Sequence, residues 1–146
     1  MNLFSRHTFL LSTALLICCL LLPAGCTRDD KHPVPWVYVD FVINIEFTQN
    51  IELNAIGGWA YYTGGHRGIL IYRVSHDEFR AFDRACPHEP YADCRIVVEN
   101  PPFAECPCCN SVFNLLDGSP FTGPSRHPLR AYRTVFNFPY LQVSNY

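Results

Sequence analysis

Apolar and polar residues alternate along positions 36–47, which predicts a β-strand with one buried face. The apolar residues that share one parity, and therefore one face, are Val37, Val39, Phe41, Ile43, Ile45 and Phe47. No stretch of the chain shows the apolar spacing of an amphipathic helix, with repeats three and four positions apart. The pattern therefore favours strands over helices.

The rest of the chain repeats this signal in short stretches separated by turn residues. Residues 69–74 and 79–83 predict a hairpin that ends just before Cys86, and glycine pairs enclose a short aromatic strand upstream. Further strands are predicted at 95–99, on both sides of an Asp117-Gly118 turn, and around residues 137–139. The fold class is therefore mostly or wholly β.

The first 25 residues have a different character. A short basic start at Arg6 and His7 precedes an apolar run over residues 9–22, and small residues follow before Cys26. This is the layout of a secretory signal. The run is shorter than the roughly 20 apolar residues that span a membrane. We therefore expect residues 1–25 to be a signal peptide.

Cys26 directly follows the small residues, and the stretch resembles a bacterial lipobox, although Pro23 stands where an aliphatic residue is usual. The resemblance implies a lipidated Cys26, a tether over residues 26–35 and one domain over 36–146. The protein would then be lipid-anchored in the bacterial cell envelope, facing the periplasm or exposed at the surface. An ordinary signal with a chance cysteine and an uncleaved anchor remain alternatives.

Charge excludes some functions. Residues 26–146 carry all 13 acidic residues of the chain and ten of its 11 basic ones, so their formal charge is about −3. There is no basic patch, and we expect no nucleic-acid partner. No nucleophile–base set or carboxylate pair indicates catalysis, so we do not expect an enzyme.

Five cysteines follow Cys26, and two of them are adjacent. An odd number in an oxidising compartment leaves at least one thiol without an intramolecular disulfide partner. Either one thiol is free or some of the cysteines bind a metal. These cysteines are Cys86, Cys94, Cys106, Cys108 and Cys109.

Two short motifs contain ligand-type side chains: Cys86-x-His88 and Cys106-x-x-Cys109. Each lies in a loop after a predicted strand, and a proline after its first cysteine stiffens it. With these motifs and a proline-bearing loop at residues 123–132, residues 68–145 resemble a Rieske iron–sulfur domain. The resemblance implies an antiparallel β-sandwich with a small cluster-binding subdomain, whose loops are residues 86–94 and 106–113.

The resemblance also implies a [2Fe–2S] cluster and a one-electron carrier with a redox protein partner. By position, Cys86 and Cys106 would hold one iron, and His88 and Cys109 the other. Cys109 stands where the family has its second ligand histidine. Ser111 is kept and would donate to a bridging sulfide. The family's tie between the two loops implies a disulfide between Cys94 and Cys108, although Cys94 is displaced along the first loop.

Three departures from the family pattern have predictable effects. A thiolate at Cys109 adds negative charge, so the reduction potential should fall towards that of plant-type ferredoxins. Phe113 replaces a frequent tyrosine and has no hydrogen-bond donor. Asn110 replaces a glycine whose backbone is left-handed, and asparagine is the non-glycine residue that tolerates this conformation best.

Other interpretations of the same residues remain open. The domain would be a cluster-less structural or interaction module if disulfides held its loops. Three cysteines and one histidine also suit structural zinc. His127, in the proline loop, is a candidate for the missing imidazole. A ferredoxin-like subunit of an oxygenase is a further possibility, which a secreted anchor disfavours.

Overall fold

The structure, a computed structural model, describes residues 31–145 as two antiparallel sheets. The larger sheet has the strand order β1-β10-β9-β4-β3-β2, and the smaller has the order β5-β6-β7-β8. The predicted all-β fold is confirmed. The strands are β1 (Asp40–Asn44), β2 (Trp59–Tyr62), β3 (Ile69–Arg73), β4 (Phe79–Asp83), β5 (Val97–Asn100), β6 (Phe103–Glu105), β7 (Val112–Asn114), β8 (Pro120–Thr122), β9 (Ala131–Asn137) and β10 (Tyr140–Ser144).

The central strands β3 and β4 are buried on both faces, which explains their nearly continuous apolar sequences. One face contributes Ile69 and Ile71 to the core of the larger sheet. The other contributes Leu70 and Phe82 to a second core, which β5, β6 and β7 complete. Cys86 and Cys106 belong to this second core, so the region between the sheets positions the candidate site.

The first strand is shorter than the alternation predicts. Only residues 40–44 pair with β10. Before them, the side chain of Asn145 donates to the carbonyl of Val37 and accepts from the N–H of Val39. One backbone hydrogen bond, from the N–H of Asn145 to the carbonyl of Val39, adds to this attachment. After them, a 3₁₀ helix (Thr48–Asn54) buries Asn50 and Leu53. This helix was not predicted.

The smaller sheet presents the second cysteine motif in the turn between β6 and β7. The first motif follows β4, where Ala85 bridges to Arg95. No helix among residues 31–145 is both long and apolar enough to cross a membrane. The predicted signal peptide and Cys26 lie outside the described residues.

Candidate metal centre

The turn between β6 and β7 is closed by its own backbone. The N–H of Cys106 donates to the carbonyl of Ser111, and the N–H of Asn110 donates to the carbonyl of Cys106, both at 2.8 Å. Asn110 has a φ of 55° and is the one non-glycine residue in the described chain with a positive φ. The left-handed conformation predicted for Asn110 is therefore confirmed.

Three free thiols converge from the two loops. The sulfur atoms of Cys86, Cys106 and Cys109 lie within 4.8 Å of one another, and those of Cys86 and Cys109 are 3.5 Å apart. Cys86 and Cys106 are completely buried, and Cys109 is half-buried. Thiolates are ligands of zinc and of iron–sulfur clusters, so this arrangement is chemically a metal site.

Ser111 connects the thiols to the proline loop, residues 123–129. Its hydroxyl oxygen is 3.2 Å from the sulfur of Cys109 and accepts the N–H of Ser125 at 3.0 Å. Gly123, with φ +94°, brings the loop close, since a Cβ there would lie 2.5 Å from the Cα of Ser111. The hydroxyl of Ser111 keeps its own proton available for the sulfur of Cys109.

The thiols of Cys86 and Cys109 differ in acidity. Burial, with a hydrogen bond to Cys106, raises the pKa of the Cys86 thiol to about 12, although the N–H groups of His88 and Glu89 donate to its sulfur. Burial also opposes ionisation of Cys109, but hydrogen bonds from Ser111 and from the neighbouring thiols outweigh it and lower its pKa. Of these two sulfurs, that of Cys109 therefore ionises first.

His88 is placed differently from the other three predicted ligands. Its side chain is exposed, and among residues 31–145 the group of close ligand atoms contains the three thiols without it. The structure therefore brings Cys86, Cys106 and Cys109 together, with His88 on the solvent side of the same loop. His127 is also exposed and lies outside this group.

A disulfide joins Cys94, in the first loop, to Cys108, in the second, with their Cα atoms 6.2 Å apart. Cys94 is buried and Cys108 is exposed. The bridge ties together the two loops that carry the free thiols. The disulfide that the family resemblance implied is therefore present, although Cys94 lies further along the first loop than the family pattern has it.

Asp83 fixes the start of the first loop. This role was not predicted from the sequence. The completely buried carboxylate of Asp83 accepts the N–H groups of His66, Arg67 and Ala85 and the hydroxyl of Tyr132. Burial and this carboxylate raise the pKa of the Tyr132 phenol. The sequence could have predicted this buried carboxylate, because the alternation of β4 places Asp83 on the same buried face as Phe79 and Ala81.

The turn between β2 and β3 clamps the far side of the first loop. The guanidinium of Arg67 donates to the carbonyl of Tyr91 and to the carboxylate of Asp93, at 2.9 and 3.1 Å. The imidazole of His66 is 3.0 Å from the carbonyl of Pro90. These contacts hold the extra residues that separate His88 from Cys94, and no sequence pattern predicted them.

Comparison with known families decides the affiliation of this fold. A model described as the Rieske [2Fe-2S] domain matches residues 46–133. The chain belongs to the Rieske family. Membership in this family points to an electron-transfer protein and not to a catalytic enzyme. No match was found among curated proteins.

Solved Rieske structures resemble the chain in fold at low sequence identity. The ferredoxin of carbazole 1,9a-dioxygenase from Nocardioides aromaticivorans IC177 is 19% identical over 76% of this chain and 100% of that chain, with a TM-score of 0.52. A complex of reduced oxygenase and oxidized ferredoxin in carbazole 1,9a-dioxygenase is 18% identical over 76% and 95%, with a TM-score of 0.49. The Sphingomonas yanoikuyae B1 ferredoxin is 18% identical over 59% and 83%, with a TM-score of 0.44.

The residues present fit the iron–sulfur cluster that the Rieske family implies. Three free thiols converge from the two cluster loops of the family, and two of them are buried between the sheets. The described chain thus offers one thiolate more than a Rieske centre uses, since that centre has two cysteines and two histidines. The additional thiol is that of Cys109.

Proposed function

We propose that this protein carries single electrons on a [2Fe–2S] cluster held by Cys86, His88, Cys106 and Cys109. The observation that carries the proposal is the convergence of three free thiols in a Rieske fold. When bound, the cluster supplies one-electron redox chemistry. The chain supplies the ligands, the hydrogen bonds to them and the exclusion of water.

Cys109 sets the electrostatics of the proposed site. A thiolate in place of an imidazole makes the site one unit more negative, which disfavours the addition of an electron. We therefore expect a potential near the −400 mV of plant-type ferredoxins instead of the Rieske range of about −150 to +300 mV. The depressed pKa of Cys109 favours the thiolate that ligation requires.

Ser111 and Phe113 shape the surroundings of the sulfurs. The buried hydroxyl of Ser111 lies against Cys109 and would stabilise negative charge on that sulfur. Phe113 is completely buried and has no hydrogen-bond donor. It therefore excludes water from the site without stabilising the negative charge of the sulfurs. Phe113 therefore favours a low reduction potential, and the hydrogen bond from Ser111 partly offsets this effect.

The exposed side of the proposed site is formed by His88 and Cys109. Cys86 and Cys106 are enclosed by the core, whereas His88 is exposed and Cys109 is half-buried. Electrons would therefore enter and leave on the side of His88 and Cys109. A carrier needs a protein donor and a protein acceptor, so the proposed partner is another redox protein.

The proposed location is the bacterial cell envelope, with lipid attached to Cys26. The support is the sequence layout alone: a basic start, an apolar run and small residues before Cys26. Metabolic labelling with a clickable fatty acid tests it. Label should appear in the wild-type protein and be absent from Cys26→Ala.

Cluster binding is tested by anaerobic reconstitution with ferrous iron and sulfide, followed by metal and sulfide analysis. The proposal expects two irons and two sulfides per chain. A folded protein that retains no iron would refute it. Thiol counting after denaturation under air separates the metal-free alternative, because the cluster protein releases three thiols and a chain with two disulfides releases one.

Structural zinc is a second candidate, favoured by the spacing of the sulfurs. Two thiolates on one tetrahedral zinc, with bonds of about 2.3 Å, lie about 3.8 Å apart. The sulfurs of Cys86 and Cys109 are 3.5 Å apart, close to that spacing. Elemental analysis of protein expressed with both metals available discriminates, since one zinc and no sulfide per chain would favour this function.

A further inference from the structure

The beginning of the described chain is fixed to the proline loop and to Arg130, which follows that loop. The imidazole of His32 is 3.0 Å from the carbonyl oxygen of Pro128. Val34 is completely buried, and its carbonyl accepts the guanidinium Nε–H of Arg130 at 2.9 Å. The described end of the predicted tether is therefore held at residues 128–130.

The same loop lies against the thiol site. The N–H of Ser125 donates to the hydroxyl of Ser111, which contacts the sulfur of Cys109. One continuous segment, residues 123–130, thus contacts both the site and the chain that leads back to Cys26. We call this part of the molecule the proline-loop end; its exposed residues include Lys31, Arg126, His127 and Pro128.

Strand β9 leads from the proline-loop end to the opposite end of the domain. Ala131 pairs with Phe82, close to the end of β4 that leads to Cys86. From there β9 runs seven residues to the turn that contains Phe138, which is 69% exposed. At about 3.4 Å per residue, Phe138 lies roughly 24 Å from Ala131, which directly follows the proline-loop end.

The predicted tether is short compared with this distance. Five residue steps connect Cys26 to Lys31, and they span at most about 18 Å when fully extended. An orientation with Phe138 at the membrane would exceed the span of those residues even at full extension. An orientation with the proline-loop end at the membrane leaves them slack, at a lower cost in chain entropy.

We propose that the proline-loop end, and with it the thiol site, faces the lipid surface to which Cys26 is attached. This inference rests on the proposed lipid anchor. The exposed cationic side chain of Arg126 suits the phosphate groups of lipids. The redox partner would then be one that reaches the site at the membrane surface, such as a protein embedded in the same membrane.

The test uses the full lipidated protein in vesicles of phosphatidylcholine and phosphatidylglycerol that carry a short-range nitroxide quencher on their headgroups. A genetically encoded fluorescent residue replaces His127 in one variant and Phe138 in the other, both of which are exposed. We expect quenching several-fold stronger at position 127. Equal quenching, or stronger quenching at 138, would overturn the orientation.

Flotation of the same samples separates the orientation from the anchor. If the wild-type protein does not float with the vesicles, the anchor and the orientation both fail. If it floats without a quenching contrast, the orientation alone fails. Insertion of 20 Gly/Ser residues between Asp30 and Lys31 adds about 25 Å of flexible chain, and should bring the quenching ratio towards one. An unchanged ratio would exclude tether length as the cause.

Discussion

The sulfur of Cys109 lies 3.5 Å from that of Cys86, although the two residues are 23 positions apart in the sequence. The contact exists because β4 and the β6–β7 turn deliver their loops to one end of the inter-sheet core. It places a thiol of low pKa beside one of high pKa in the cluster loops of a Rieske domain.

Replacement of Cys109 by histidine should convert the site to Rieske ligation. Loss of one negative charge should raise the reduction potential by about 250 mV or more, from near −400 mV to at least −150 mV. Protein-film voltammetry of the reconstituted proteins measures the shift. Cys109→Ala is the matched control and should not retain the cluster. An unchanged potential in Cys109→His would mean that Cys109 is not a ligand.

Cys109 should react faster than Cys86 in the metal-free protein with its disulfide intact. Its rate of alkylation should rise with a midpoint below the ordinary cysteine value, because the thiolate is the nucleophile and Ser111 stabilises it. Ser111→Ala should move the midpoint to higher pH. Ser119→Ala, which removes a hydroxyl that contacts Asp117 instead, should not. Mass spectrometry of the alkylated peptides gives the rates, and identical profiles in both variants would disprove the role of Ser111.

The stability of the same metal-free protein should depend on Cys86 at high pH. Its folded-state pKa, about 12, exceeds the ordinary value of 9.0, so the native state holds this proton more tightly than the unfolded state. The resulting stability is complete below pH 9.0 and is lost as pH rises through about 12. Urea titrations of wild type and Cys86→Ser should therefore converge as pH increases through that window. A constant difference would contradict the prediction.

The disulfide should make a measurable contribution to stability. Cys94 and Cys108 are 14 positions apart, and closing a loop of that size stabilises a protein by about 3 kcal/mol. Cys108→Ser should lower the free energy of unfolding by about that amount. The double variant Cys94→Ser/Cys108→Ser should match the single one. Wild-type stability that does not respond to reductant would show that the bridge is not formed.

Asp83 should be essential for the geometry of the first loop. Asp83→Asn keeps the shape but turns an N–H₂ donor towards groups that already donate, and buried groups left unpaired cost about 1–3 kcal/mol each. We expect a larger loss of unfolding free energy than in Tyr132→Phe, which removes one of the four donors. Equal losses, measured by denaturant titration, would refute the central role of the carboxylate.

The elements that the sequence predicted best are those whose pattern is dictated by burial. The bounds of β4 were predicted as observed, and those of β3 within one residue, because both strands lie between two cores. The 3₁₀ helix was missed because its buried residues, Asn50 and Leu53, form no apolar stripe. The convergence of Cys86, Cys106 and Cys109 was predicted through the family resemblance alone, since it depends on how two distant loops pack on one core.

In the proposed site, Cys109 ligates a [2Fe–2S] cluster together with a single histidine. Pulsed EPR of the reconstituted, reduced protein counts the histidine nitrogens coupled to the cluster. We expect one coupled histidine in the wild type and two in Cys109→His. Two coupled histidines in the wild type, or no cluster signal from a folded protein, would contradict it.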